Sequence, residues 1–219
     1  MRHRGRERTE RRGGDVFVTL DKYRPLANRT LEPFVEGADR VGMTPNGVSV
    51  LAFVIAGFAA GVFYVAGANP GWYFIGALLV LLNGWLDLLD GALARRQSVA
   101  STAGDLLDHV LDRYADILII AGLAAGIGEY ALGFVAVTGV LMTSYLGTQA
   151  QAVGLDRVYG GMLGRADRLV LVGTVAVLTA IFPSTILWLT LVGWLLVVFA
   201  IVGHITAFQR FYHAMGALG

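Results

Sequence analysis

Apolar runs of about 18 to 25 residues, long enough to cross a bilayer at roughly 1.5 Å of rise per residue, recur six times along this 219-residue chain. They fall at 47–67, 71–89, 106–127, 130–153, 169–182 and 185–208, the fifth short enough to borrow from its flanks. A backbone in lipid has no water to bond, so each run is expected to close its own hydrogen bonds as a helix. The expectation is an all-α integral membrane protein with six transmembrane helices. Composition agrees, with 56% hydrophobic and 15% charged residues and a mean hydropathy of +0.64.

The 17 Lys and Arg residues set the orientation. Ten precede residue 47, and the others are Arg95, Arg96, Arg113, Arg157, Arg165, Arg168 and Arg210. The three turns expected on the far side (68–70, 128–129 and 183–184) contain none. Positively charged loops stay on the cytoplasmic side, which predicts a multi-pass protein of the cell membrane with a cytoplasmic N-terminus. The arginine cluster through Gly14 has no apolar core behind it and does not read as a cleavable signal peptide. Residues 1–25 are expected to form a basic cytoplasmic tail, lying near anionic lipid or simply solvated. Residues 26–219 form the membrane domain, opening with an interfacial helix at about 26–41 that Pro33 interrupts. The absence of cysteine excludes disulfides and thiolate metal sites. Gly57xxxGly61 and Gly122xxxGly126 permit close helix approach, within one chain or between two.

Against this apolar background, six carboxylates crowd the edges of the second and third runs: Asp87, Asp90, Asp105, Asp108, Asp112 and Asp116. At about 100° per residue, Asp87 and Asp90 share one helical face. Asp108 and Asp112 share another, with Asp116 one turn deeper. The stretch 91–104 is expected to be a cytoplasmic connection that lets the two helices run antiparallel, so the pairs converge. Ionised groups at membrane depth cost about 2.5 kcal/mol or more each, and like charges repel, so a cation belongs among them. Hard oxygen ligands suit Mg²⁺ or Mn²⁺, and four carboxylates can hold two such ions. The plain alternative is solvated helix ends paired with Arg95, Arg96 and Arg113. For Asp105 that alternative is favoured, as a cap on free N–H groups. His109 points about 100° from Asp108 and is expected to be an interface histidine, and His204 a packing residue. Trp72, Tyr73, Trp85 and Tyr130 read as interfacial belt aromatics. No Walker loop or serine triad is present, and the basic tail lacks the aromatic interleaving of a nucleic-acid surface.

Asp87, Asp90, Gly91, Ala94, Arg95, Gly104, Asp108 and Asp112 are eight fixed positions over 26 residues that resemble, without a gap, the signature of the CDP-alcohol phosphatidyltransferases. Met43-Thr-Pro-Asn46 also resembles that family's opening segment. The resemblance implies a phospholipid synthase that moves a lipid phosphate from a CDP-linked lipid to an alcohol acceptor and releases CMP. It implies a homodimer with two metal ions on Asp87, Asp90, Asp108 and Asp112, Asp112 also serving as general base. The nucleotide would lie on Asn46 to Ser49, Gly91, Arg95 and Ser101. Gly91 and Ala94 leave room for substrate, and Arg95 offers a fork to phosphate.

The run Asp112-Arg113-Tyr114-Ala115-Asp116 is similar to the branch that makes inositol phosphate lipids. That branch tends to carry a basic side chain in the stretch 144–151, where Gly147 and Gln149 stand here. Arg113, Arg165 and Arg168 are candidates for an anionic acceptor, or positive-inside anchors. The acceptor ranking is inositol 1-phosphate, then glycerol 3-phosphate, then an uncharged polyol or serine. A divalent-cation transporter is the alternative from another class. It needs polar residues along a route through the bilayer, whereas the residues after Asp116 are apolar.

Overall fold

The structure, a computed structural model, describes residues 24–99, 101–155 and 164–219, with side chains from residue 30 onward. The basic tail, save its last two residues, and Arg157 lie outside that range. Seven helices occupy the described residues: α1 (Arg24–Arg40), α2 (Pro45–Ala66), α3 (Trp72–Gln97), α4 (Thr102–Ile127), α5 (Tyr130–Ala152), α6 (Arg165–Ile181) and α7 (Leu191–Leu218). A short antiparallel hairpin, β1 (Thr185–Ile186) with β2 (Leu189–Thr190), joins α6 to α7. Four helices, α2, α3, α5 and α7, are long and apolar enough to cross a membrane. The 26-residue α4 carries the acidic residues from Asp105 to Asp116, and α6 has 17 residues.

Local signals place the helix starts. Thr44 caps α2, its Oγ1 accepting from the Gly47 N–H at 3.2 Å, and Pro45 follows where no N–H is needed. Ser101 caps α4 and Thr190 caps α7 in the same way, each accepting from the N–H three residues on. Two expected boundaries move. The second run is expected to end at Leu89, but α3 continues to Gln97, because the segment after Gly91 contains no proline and is rich in strong helix formers, Ala92, Leu93 and Ala94, and Arg95 and Arg96 complement the negative end of the helix. The connection therefore shrinks from 91–104 to a turn in which Ser98 takes a left-handed φ of 55°. At the other end the expected start at residue 185 is taken by the hairpin, and α7 begins at Leu191.

Backbone contact between α2 and α4 requires glycine. A Cβ on Gly122 would stand 2.4 Å from the Ala60 carbonyl oxygen, and one on Gly126 would stand 2.3 Å from that of Phe63. The Gly122xxxGly126 pair thus serves packing within the chain, whereas Gly57 and Gly61 meet nothing within 4 Å. Elsewhere α5 packs along α7 and α3 against α6, around a core that includes Phe63, Leu123, Leu196 and Phe199. Tyr73 belongs to that core beside Phe63 rather than to an interfacial belt. Trp85 is half-buried and packs edge-on against the exposed Phe34 of α1, with ring centroids 4.9 Å apart.

A second cluster docks α1 through Leu31, Val35 and Ala38 onto Leu86, Leu89 and Leu93 of α3. This apolar seam carries α1 through Pro33 without ending the helix. Asp39 accepts from Arg96 Nε at 3.1 Å and from Gln97 Nε2 at 2.9 Å, and those two donors hold its carboxyl below the usual carboxylate range. Gln97 Nε2 also donates to the Met43 carbonyl at 3.0 Å, tying the end of α1 and the start of α2 to the end of α3.

Gly122→Ala and Gly126→Ala are each expected to destabilise the protein by about 1–3 kcal/mol, because the new methyl meets backbone that cannot rotate away. Gly57→Ala and Gly61→Ala are expected to stay within about 0.5 kcal/mol of the parent. Denaturant unfolding in detergent, followed by circular dichroism, compares the four.

Candidate active site

α3 and α4 both pack on α2, and the end of one and the start of the other bring their carboxylates together. Asp87, Asp90 and Asp108 each offer an oxygen, and these atoms all lie within 4.8 Å of one another. Asp90 is buried, and the other two are half-buried. Ser49 of α2 donates its Oγ hydrogen to Asp90 Oδ2 at 2.6 Å. Asp112 lies one turn beyond Asp108 and meets Arg165 Nη2 at 2.8 Å and Arg113 Nη2 at 3.6 Å. Of the four expected carboxylates, Asp87, Asp90 and Asp108 thus form one group, with Asp112 a turn away, and Arg165 bridges Asp112 and Asp87.

The cations come from the first turn of α6. Arg165 Nη1 contacts Asp87 Oδ1 at 2.5 Å, and its Nε lies 3.9 Å from Asp116. Arg168, one turn on, donates from Nη2 to Asp116 Oδ2 at 2.8 Å, with both side chains almost fully buried. The start of α6 is fixed by Asp167, whose Oδ2 accepts from the Gly164 N–H at 3.0 Å. Two rungs, Asp112–Arg165 and Asp116–Arg168, thus run inward between α4 and α6. Five carboxylates, Asp87, Asp90, Asp108, Asp112 and Asp116, face three guanidiniums, Arg113, Arg165 and Arg168, leaving a formal excess of two negative charges (5 − 3). That excess and an all-oxygen donor set fit a divalent cation.

The remaining predicted positions surround this cluster. A Cβ on Gly104 would stand 3.3 Å from Asn46 Oδ1 and 3.2 Å from Ser101 Oγ, so the absent side chain lets the starts of α2 and α4 meet. Ser101 itself is committed to capping α4, and Asp105, expected as a cap, sits instead in the first turn behind it. Arg95 folds back so that its Nη1 would lie 3.4 Å from a Cβ on Gly91. Gly91, Arg95, Asn46 and Ser101 thus share one end of the bundle, where α2, α3 and α4 begin or finish. Arg113 contacts Asp112. His109 faces solvent with Nδ1 2.8 Å from the Asp105 carbonyl, apart from the acidic group. His204 packs at Gly139, where a Cβ would meet its ring at 3.1 Å.

One cation escapes sequence reasoning. Arg210 of α7 donates from Nη1 to the Thr143 carbonyl at 2.7 Å and lies over Gly147, where a Cβ would come within 2.8 Å. The signal is Gly147 itself: a glycine on α5 leaves space that the neighbouring helix fills with arginine.

An all-helical bundle with membrane-spanning apolar helices, bearing an acidic centre suited to a divalent ion at one end, defines a class of membrane enzyme. The family model for CDP-alcohol phosphatidyltransferase matches residues 42–206, and the chain belongs to that family of phospholipid-synthesising transferases. An archaetidylinositol phosphate synthase of Methanothermobacter thermautotrophicus is 31% identical, over 87% of this chain and 91% of the relative. Another, from Pyrococcus horikoshii, is 30% identical over 89% of this chain and 96% of the relative. The crystal structure of Mycobacterium tuberculosis phosphatidylinositol phosphate synthase with CDP-DAG bound superposes with a TM-score of 0.71 at 29% identity, covering 85% of this chain and 94% of that one. The same protein in complex with manganese and citrate gives 0.70, covering 84% and 88%.

Arg168→Leu leaves the buried Asp116 only the 3.9 Å contact with Arg165 and is expected to destabilise the protein by about 3–5 kcal/mol. The double variant Asp116→Leu, Arg168→Leu is expected to recover most of that loss. Thermal unfolding in detergent of the single and double variants measures the difference.

Proposed function

We propose that this protein transfers the lipid phosphate of CDP-diacylglycerol or CDP-archaeol to inositol 1-phosphate at the cytoplasmic face of the cell membrane, releasing CMP. The observation that carries the chemistry is the convergence of Asp87, Asp90 and Asp108 within 4.8 Å, one turn from Asp112. In this reading Asp87, Asp90, Asp108 and Asp112 hold two ions of Mg²⁺ or Mn²⁺. When bound, such ions neutralise a diphosphate and stabilise the departing CMP.

The protein's own groups account for the other requirements. Asn46, Gly91, Arg95 and Ser101 border the end of the bundle where the nucleotide is proposed to lie. Arg95 offers a fork to phosphate oxygens. Asp112 takes the proton of the acceptor hydroxyl as that oxygen bonds to the lipid-bearing phosphorus and the bond to CMP breaks. Arg113, Arg165 and Arg168 supply positive charge for a phosphorylated acceptor, and Arg210 brings to Gly147 the cation that α5 lacks. The inositol-lipid relatives support inositol 1-phosphate, while Gly147 and Gln149 keep glycerol 3-phosphate as the second acceptor.

The same reading has α4 and α6 join the four apolar helices as the third and fifth of six spans, α1 lying at the interface, the N-terminus cytoplasmic and the enzyme a homodimer among membrane lipids. A cation transporter is disfavoured, because α4 beyond Asp116 is Ile-Leu-Ile-Ile-Ala-Gly-Leu-Ala-Ala, with no side chain to carry an ion onward.

Purified protein given a CDP-lipid, Mg²⁺ or Mn²⁺ and radiolabelled acceptors is expected to incorporate inositol 1-phosphate with release of CMP. Asp112→Asn is expected to lower the rate by about 10²–10⁴. Incorporation of glycerol 3-phosphate alone would move the acceptor to the second reading, and unchanged CMP release by Asp112→Asn would remove that residue from the mechanism.

A further inference from the structure

We propose that Ser49 is a positioning residue for Asp90, rather than a group that binds the nucleotide. The inference rests on the reading of Asp90 as a metal ligand. Ser49 and Asp90 are both buried, at 7% exposure each, and belong to different helices. A hydroxyl has one hydrogen to give. Ser49 Oγ lies 2.6 Å from Asp90 Oδ2 and 3.2 Å from the Pro45 carbonyl, so the shorter bond, to the stronger charged acceptor, takes it. Among the described residues no other side chain donates a hydrogen bond to Asp90.

The consequence is orientational. A carboxylate turns about its terminal torsion through a broad well, and the Ser49 hydroxyl at 2.6 Å, its one side-chain donor among the described residues, narrows that angle. Oδ2 is engaged while Oδ1 and the remaining lone pairs stay open to a cation. The donor is itself rigid. Val48 beside it is fully buried, and one turn along the α2–α3 seam Asn83 Nδ2 donates to the Ala52 carbonyl at 2.8 Å. The two bonds lock the register between the helices, so the hydroxyl arrives at a fixed point. Partners of this kind, one step removed from the ion, typically change metal affinity by about 10–100-fold when lost.

Mn²⁺ titration of the purified full-length protein, read as the free-ion electron paramagnetic resonance signal, tests the proposal without any turnover. Ser49→Ala is expected to weaken Mn²⁺ binding by about 10–100-fold. Ser49→Thr, which keeps the hydroxyl, is expected to restore it, and CDP binding at saturating Mn²⁺ is expected to match the parent in both. Should the alanine variant fail to fold, Ser49→Cys, close in size and a weak donor, is expected to lose affinity in the same direction. Unchanged Mn²⁺ affinity with weakened CDP binding would overturn the proposal in favour of a direct nucleotide contact. A loss that threonine does not restore would assign the effect to packing and overturn it as well. Asp90→Asn separates the two levels: if it leaves Mn²⁺ binding intact, the reading of Asp90 as a ligand fails, whatever Ser49 does.

Discussion

Carboxylates drawn from two helices cannot share one end of a bundle unless positive charge stands between them, and much of this protein is arranged around that demand. Asp87 and Asp90 descend on α3, Asp108, Asp112 and Asp116 rise on α4, and α6 begins with Arg165 and Arg168 where the acidic residues face it. The guanidiniums of α6 reach three of the carboxylates: Arg165 bridges Asp87 and Asp112, and Arg168 pairs with Asp116. Asp90 and Asp108 face no guanidinium at ion-pair distance among the described residues, so the cluster retains an excess of oxygen donors. Where that compensation falls follows from where α6 starts, which the Asp167 contact to the Gly164 N–H fixes.

The scaffold makes that convergence possible by bringing backbones close. Gly122 and Gly126 let α4 lie directly on α2, which carries Asn46 and Ser49 to the acidic cluster from the other side. Gly104 admits Asn46 to the start of α4. The tie from Asp39 through Gln97 to Met43 holds the end of α3, and with it Arg95, against the start of α2. Each contact is local, yet together they place three helix ends around one small volume.

Much of this was legible in the sequence. The apolar runs announced the helices, and the spacing of Asp87, Asp90, Asp108 and Asp112 announced their shared faces, because helical period is a property of one segment at a time. The misplaced features depend on partners. The apolar run stops at Leu89, before the helix does, because capping and the helix dipole keep the charged segment helical to Gln97. Tyr73 stands near a run end like a belt aromatic, but it is buried beside Phe63. Arg210 lies 63 residues beyond Gly147 (210 − 147), so only the packing of α5 on α7 could join them. The same holds for Ser49, whose link to Asp90 spans 41 residues.

The central claim is that the acidic ends of α3 and α4 form a divalent-cation centre. Anomalous diffraction at the manganese edge, from crystals of the protein grown with Mn²⁺, tests it most directly. The account predicts an anomalous peak bonded to oxygens of Asp87, Asp90 and Asp108. Manganese bound only elsewhere, with those three side chains directed away from one another, would contradict it.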